Sequence, residues 1–206
     1  MLPILQIGPL AIQTPGLILL LGLWLGLSLS ERLAPRFNSD ANSLYNLVFF
    51  ALVAGLLGAR LGYAMQNMQH FIASPISLVS LNPGLLDISS GLAVGLLVAF
   101  IYGNRKALHL WSTLDAITPM LAVFAIALAL SHYASGSAFG SVTTLPWGIY
   151  LWSAKRHPSQ IYEAILAIII LWNIWPKYEN NVIAPKFPGA TFLLFLALSA
   201  GARLFI

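Results

Sequence analysis

Long apolar runs constrain this chain more than any other feature of its sequence. Hydrophobic residues make up 59% of it, charged residues only 8%, and the mean hydropathy is +0.84. A helix needs roughly 20 apolar residues to cross about 30 Å of hydrocarbon. Lipid also requires every exposed backbone group to be hydrogen-bonded within a helix or a closed barrel. The runs therefore predict an all-α fold, a polytopic membrane helix bundle.

Six segments are predicted to span the membrane as helices. They are residues 15–33, 44–65, 89–102, 114–133, 158–175 and 188–206. The stretch 74–87 is apolar but is interrupted by Pro75 and by Pro83 and Gly84, which predicts an interfacial or re-entrant segment. Short strands are expected only near residues 5–12. We expect one integral-membrane domain covering residues 1–206.

The basic residues predict the orientation of the bundle. Cytoplasmic loops of membrane proteins carry an excess of Lys and Arg. Two of the ten Lys and Arg residues fall in the even loops, and two lie inside spans. We therefore expect the odd loops in the cytoplasm and the amino terminus outside, with no signal peptide. The six basic residues of the odd loops are Arg32, Arg36, Arg105, Lys106, Lys177 and Lys186.

Composition also excludes several kinds of site. The net charge of +4 follows from the loop distribution, so no nucleic-acid partner is expected. The absence of cysteine excludes disulfides, thiolate metal sites and a cysteine nucleophile. Ser137 lies in GSAFG, which is not the G-x-S-x-G elbow of serine hydrolases. The four histidines lack metal-ligand spacing, so we expect no metal and no cofactor; they are His70, His109, His132 and His157.

A few ionic side chains lie beside or inside the predicted spans. Charges near hydrocarbon are costly and usually paired or functional. RHPSQIYE, residues 156–163, places basic, titratable and acidic groups at the start of a span. Arg60 lies in GARLGY between two glycines that allow close helix contact. Arg60 is expected to pair with Glu163 or to bind a lipid phosphate, and Arg203 to extend outward to the interface.

The order of motifs resembles the prolipoprotein diacylglyceryl transferase family. The motifs run from QIGPLAIQTPG through GARLGY, DAITP, PWGIY and RHPSQIYE to GARLFI, and RHPSQIYE is the specific part. Members are bacterial inner-membrane enzymes that move diacylglyceryl from phosphatidylglycerol to the lipobox cysteine thiol of a prolipoprotein, releasing glycerol phosphate. The resemblance implies a lipid-open cavity for a phosphatidylglycerol-like phospholipid. The lipid-binding residues that it implies are Arg60, His132, Gly140, His157, Glu163 and Arg203.

Several polar positions of the family's site are replaced in this chain. Ser89 stands where the family has a histidine. The segment ALSHYASGS aligns with a family signature and replaces its arginine, two asparagines and glutamate by Ala129, His132, Ser135 and Ser137. Family members also continue beyond the position of Ile206, with an acidic residue one turn past the position of Arg203.

Two functions are compatible with these replacements. The loss of a base and of a phosphate-facing arginine favours a pseudoenzyme without catalytic residues. On that interpretation the chain is not an enzyme but a lipid-binding, structural subunit that works with other membrane subunits in a membrane complex. The alternative is an active transferase with a rearranged site, in which His132 or His157 serves as the base.

Overall fold

The computed structural model describes residues 4–7, 10–73, 83–151, 153–175 and 187–205. The chain forms two compact units. Unit 1 comprises Met1–Asn38 and Trp111–Ile206, and unit 2 comprises Ser39–Leu110. The expectation of one domain concerns how the two units combine, and it stays a prediction.

Unit 1 begins with a hairpin that leads into a long helix. Strands β1 (Ile4–Ile7) and β2 (Leu10–Gln13) pair in antiparallel register, which confirms the expected strands near residues 5–12. Helix α1 (Thr14–Leu33) follows directly, with a proline in its first turn. Proline is well tolerated there because the first helical N–H groups have no partner within the helix. A 3₁₀ turn, Ala34–Phe37, continues α1.

Helix α5 (Leu110–Ser135) is the most buried of the long helices. It packs closely on α1 because α1 presents glycines to it. A Cβ atom added at Gly26 would lie 3.0 Å from the carbonyl oxygen of Met120. Pro119 lies inside α5, and the next backbone N–H, that of Met120, donates to the Ser30 hydroxyl at 2.9 Å. The glycines of α1 therefore allow α5 to pack closely, and the Ser30 hydroxyl accepts a hydrogen bond from its backbone.

Helices α6 (Ser159–Ile174) and α7 (Ala190–Arg203) complete unit 1. Ile170 and Ile174 of α6 form a buried cluster with Ala122 of α5, against which the apolar residues of α7 pack. The buried carboxylate of Asp115 accepts hydrogen bonds from the backbone N–H groups of Gly189 at 2.6 Å and of Phe192 at 2.9 Å. A negative charge at a helix amino terminus is stabilising, so Asp115 fixes the start of α7 against α5.

A second hairpin lies in the connection between α5 and α6. Strands β3 (Ile149–Leu151) and β4 (Ala154–Arg156) pair in antiparallel register. The prediction that strands occur only near residues 5–12 is therefore wrong. Each of these strands has only three residues, too few to produce a recognisable alternation in the sequence.

Unit 2 is built from α2 (Ala41–Gln66), α3 (Met68–Ala73), a 3₁₀ turn at Pro83–Leu85 and α4 (Ile88–Arg105). Helices α2 and α4 meet along glycines. A Cβ added at Gly91 would lie 2.8 Å from the Ala59 Cβ and 2.9 Å from the Gly55 carbonyl oxygen. The small-residue spacing thus allows close helix contact, as it commonly does in membranes. Most of the predicted segment 74–87 lies outside the described residues.

The predicted fold class is confirmed: the chain is an all-α polytopic membrane protein. In the described part of the chain, four segments are long and apolar enough to cross a membrane: Thr14–Phe37, Ala41–Gln66, Ile88–Arg105 and Leu110–Ser135. Helices α6 and α7 are apolar but have 16 and 14 residues. At about 1.5 Å per residue they are roughly 24 and 21 Å long. Helix α7 is therefore shorter than the predicted span of residues 188–206, whereas α6 differs from the predicted span 158–175 by one residue at each end.

Candidate functional site

A salt bridge joins α6 and α7. The Arg203 guanidinium donates to the Glu163 carboxylate at 2.9 Å, and the Arg203 side chain is 70% exposed while that of Glu163 is 19% exposed. The expectation that Arg203 extends outward did not include this partner: the Arg203 side chain is largely exposed, and α7 also brings it to Glu163. Opposite charges within apolar helices are expected to pair. The exposed part of Arg203 leaves donors available to an anion.

The salt bridge forms part of the wall of an open cleft between α5, α6 and α7. The cleft has a volume of about 110 Å³, below the roughly 300–1,000 Å³ of a typical small-molecule site. Its wall combines the Arg203 guanidinium with apolar side chains of the three helices. The lining residues are Ala125, Leu128, Glu163, Leu166, Ala167, Ile170, Ser199, Ala202 and Arg203.

His132 lies in the last turn of α5, where the connection to α6 begins. Its carbonyl oxygen accepts the backbone N–H of Ser137 at 3.0 Å and the hydroxyl of Ser135 at 3.0 Å. The two serine hydroxyls are 2.7 Å apart. The Nδ1 atom of His132 is buried and has no hydrogen-bond partner within the described part of the chain. This ring therefore keeps a nitrogen that no neighbouring group uses.

Two hydrogen bonds join the connection after α5 to the first turn of α6. The Ser159 hydroxyl donates to the Ala138 carbonyl oxygen at 2.5 Å, and the Gln160 amide donates to the Ser137 carbonyl oxygen. Both side chains are buried. Ser159 and Gln160, the polar centre of RHPSQIYE, therefore hold the loop in place.

Gly140 lets the same loop approach His157. The Gly140 N–H donates to the His157 carbonyl oxygen at 3.0 Å, and the His157 N–H donates to the Ser141 carbonyl oxygen at 3.1 Å. A Cβ atom at Gly140 would lie 3.0 Å from the His157 Cβ. The structure thus places Gly140 and His157 together, and a larger residue at 140 would displace the histidine.

The His157 ring contacts Tyr162, which in turn contacts Trp147. The sequence did not reveal the role of either aromatic residue. The His157 Nδ1 lies 3.3 Å from the hydroxyl oxygen of Tyr162, and the indole N–H of Trp147 donates to that oxygen at 2.8 Å. Trp147 belongs to PWGIY and Tyr162 to RHPSQIYE. The presence of both motifs was a signal for these residues, but only the fold shows that their side chains meet.

Arg60 lies in unit 2. Its guanidinium donates to the Leu85 carbonyl oxygen at 3.0 Å and lies 6.0 Å from the centre of the buried Phe71 ring. That separation is within the range of a cation–π interaction. The predicted pairing of Arg60 with Glu163 would join the two units and stays a prediction.

Ser89, which the resemblance aligned with a family histidine, has a defined role in unit 2. Its hydroxyl donates to the Asp87 carboxylate at 2.8 Å. Asp87 caps α4 and also accepts the hydroxyl and the backbone N–H of Ser90 at 2.5 and 2.8 Å. These donors lower the pKa of Asp87 to about 2, with the Ser90 hydroxyl contributing most. The Ser89 hydroxyl is thus used in the hydrogen bonds that cap α4.

Comparison with known proteins adds independent evidence. A family model described as prolipoprotein diacylglyceryl transferase matches residues 3–206. A relative in Thermus thermophilus is 34% identical over 194 residues, covering 81% of this chain and 70% of the relative. A relative in Coxiella burnetii is 29% identical over 197 residues, covering 92% and 74%. One in Synechococcus elongatus is 27% identical over 181 residues, covering 81% and 63%, so the chain spans less than two thirds of its length.

All three relatives are named as phosphatidylglycerol–prolipoprotein diacylglyceryl transferases. These proteins are enzymes by name, and the expectation that this chain is not an enzyme is therefore wrong. That expectation treated the replaced motif residues as a loss of chemistry. The role as a structural subunit of a complex has no counterpart in the names of these relatives.

Proposed function

Because the chain belongs to the prolipoprotein diacylglyceryl transferase family, we propose that it is an active phosphatidylglycerol–prolipoprotein diacylglyceryl transferase with a rearranged site. The main support is the salt bridge of Glu163 and Arg203 in the wall of an apolar cleft. A phospholipid needs this combination, because a guanidinium binds phosphate oxygens in pairs while apolar side chains accommodate the lipid portion.

The reaction makes and breaks one bond at a glyceryl carbon. The cysteine sulfur of the prolipoprotein forms a bond to that carbon, and the bond between the carbon and the phosphate oxygen breaks. The electron pair leaves with the oxygen, so glycerol phosphate is released, and the thiol proton passes to a base. Charge therefore grows on the leaving oxygen, where Arg203 would stabilise it. Glu163, at 2.9 Å, would orient the guanidinium.

A base is needed for the thiol, and histidine is the side chain whose ordinary pKa is nearest neutrality. Ser89 holds the position of the family histidine and donates to Asp87, which argues for a base elsewhere. His132 and His157 are the candidates, since both flank the connection from α5 to α6 that Gly140 and Ser159 bring against α6.

The remaining elements of the proposal concern lipid and membrane. We assign Arg60, His132, Gly140, His157, Glu163 and Arg203 to lipid binding or its support, with phosphatidylglycerol as the phospholipid. The positive-inside rule places the connection between α5 and α6 outside the cytoplasm. A lipobox cysteine presented at the outer face of the inner membrane would then reach these residues.

The test is transferase activity of the full chain in membranes. Expression should restore growth to a bacterium depleted of its own transferase, and purified protein should add diacylglyceryl to a lipobox peptide when phosphatidylglycerol is present. Phosphatidylethanolamine vesicles are the lipid control, and product is detected as a mass increase of the peptide. Correctly inserted protein that neither complements nor forms product would overturn the proposal.

A further inference from the structure

We infer that Tyr162 holds His157 in the tautomer that carries its proton on Nε2, so that His157 donates a hydrogen bond to the substrate phosphate and is not the base. The assignment to phosphate rests on the proposed transferase function. The tautomer itself rests on the contacts around the Tyr162 hydroxyl. Tyr162 would thus be a positioning residue that acts through His157.

The first step concerns the indole of Trp147. Its N–H lies 2.8 Å from the Tyr162 hydroxyl oxygen. An indole nitrogen can only donate, so the Tyr162 oxygen accepts in this bond. The hydroxyl keeps its own proton, which needs an acceptor.

The second step concerns that proton. Among the described residues, the acceptor within reach of the Tyr162 hydroxyl is the His157 Nδ1 atom at 3.3 Å. If Nδ1 carried a proton instead, two N–H groups would point at one oxygen and the phenol proton would have to find solvent. Tyr162 is half-buried, and an unpaired buried donor is unfavourable. The bond therefore favours an unprotonated Nδ1, which puts the proton of the neutral ring on Nε2.

The third step concerns the stability of this arrangement. The His157 backbone is held on both sides, by Gly140 and by Ser141 at 3.0 and 3.1 Å. Its ring meets the Tyr162 ring edge to face, at 6.1 Å between centres. The imidazole is thus fixed by its backbone and by Nδ1, and Nε2 is the atom left to meet a ligand.

A neutral ring with a protonated Nε2 cannot accept a proton there, but it can donate to an oxyanion. In the transferase reaction it would meet a phosphate oxygen of the leaving group. Of the two candidate histidines, His132 would then take the thiol proton. This division of roles separates two rings that the sequence left equivalent.

The tautomer can be measured without any activity. Long-range proton–nitrogen NMR of the full chain in nanodiscs, labelled with ¹⁵N histidine and assigned with His157→Gln, identifies which nitrogen of His157 is protonated. We expect Nε2–H in the unaltered chain and a substantial Nδ1–H population in Tyr162→Phe. Tyr150→Phe is the matched control, because Tyr150 donates to the Ser153 carbonyl oxygen on the exposed hairpin. A dominant Nδ1–H signal in the unaltered chain would overturn the inference.

The donor role can be tested by two amides. The Gln side chain places an N–H near the Nε2 position of the imidazole, whereas the shorter Asn side chain does not. We expect kcat/KM of His157→Gln to stay within about tenfold of the unaltered chain and that of His157→Asn to fall about 100-fold. Equal and complete loss in both, with an active His132→Gln, would contradict the donor role. An inactive unaltered chain with the expected NMR signal would refute the transferase function but leave the tautomer standing.

Discussion

Arg203 is the side chain on which the proposed chemistry depends most. We expect Arg203→Gln to lower kcat/KM about 10²- to 10³-fold, because it removes a donor from the leaving phosphate. Stability should change little, since an exposed ion pair contributes roughly 0.2–1 kcal/mol and Arg203 is 70% exposed. The rates come from peptide lipidation. Arg105→Gln, at the exposed end of α4, is the control and should keep full activity.

Glu163 is expected to act through Arg203. Removing its charge in Glu163→Gln should lower kcat/KM about tenfold, because the guanidinium loses the partner that orients it at 2.9 Å. The double variant Glu163→Gln with Arg203→Gln should be no worse than Arg203→Gln alone, since residues that act as a unit are not additive. Additive losses in this cycle would show that the two side chains contribute separately.

The amino terminus of α4 makes the stability of unit 2 depend on pH. Hydroxyl and backbone donors of Ser90, with Ser89, lower the pKa of Asp87 from 3.8 to about 2. A carboxyl whose pKa is lower in the folded state stabilises the fold at pH values above its unfolded pKa. That contribution is lost as the pH falls from about 4 towards 2. Thermal unfolding should therefore show a steeper loss over this range in the unaltered chain than in Asp87→Asn.

The contact between α2 and α4 depends on the absence of side chains at its glycines. Gly91→Ala should lower the free energy of unfolding by about 1–3 kcal/mol, because the new methyl group would meet Ala59 at 2.8 Å and the Gly55 carbonyl oxygen at 2.9 Å. Gly16→Ala is the control, since no atom lies within 4 Å of a Cβ at that position. Helicity during titration with a denaturing detergent measures both variants.

The apolar runs located the helices well but not their partners. The predicted spans 15–33 and 158–175 match α1 (Thr14–Leu33) and α6 (Ser159–Ile174) closely, because hydropathy varies along the chain in the same way as burial in lipid. The sequence offered Glu163 or a lipid phosphate as partners of Arg60. It did not foresee the salt bridge between Glu163 and Arg203, 40 residues apart. Hydropathy is one-dimensional, so it cannot show which helix faces which.

The contacts between the side chains of the site could not be predicted from the sequence either. Trp147 and Tyr162 lie in motifs that suggested a family, yet the contacts of Tyr162 with Trp147 and with His157 depend on how β3, β4 and α6 fold together. Replacing a family histidine by Ser89 suggested a lost function. The relatives' enzyme names argue against that inference, because a base can come from another place in the fold.

The arrangement of the whole chain in the membrane can be measured directly, because the sequence lacks cysteine. Single cysteines placed at Thr144, between α5 and α6, and at Asn104, near the end of α4, would be the only thiols of their variants. The excess of Lys and Arg in the odd loops predicts that Asn104 lies on the cytoplasmic side and Thr144 outside. A membrane-impermeant maleimide should therefore label Thr144→Cys in intact spheroplasts and Asn104→Cys only after permeabilisation. The opposite pattern would place the proposed site on the cytoplasmic side, where an exported lipobox cysteine could not reach it.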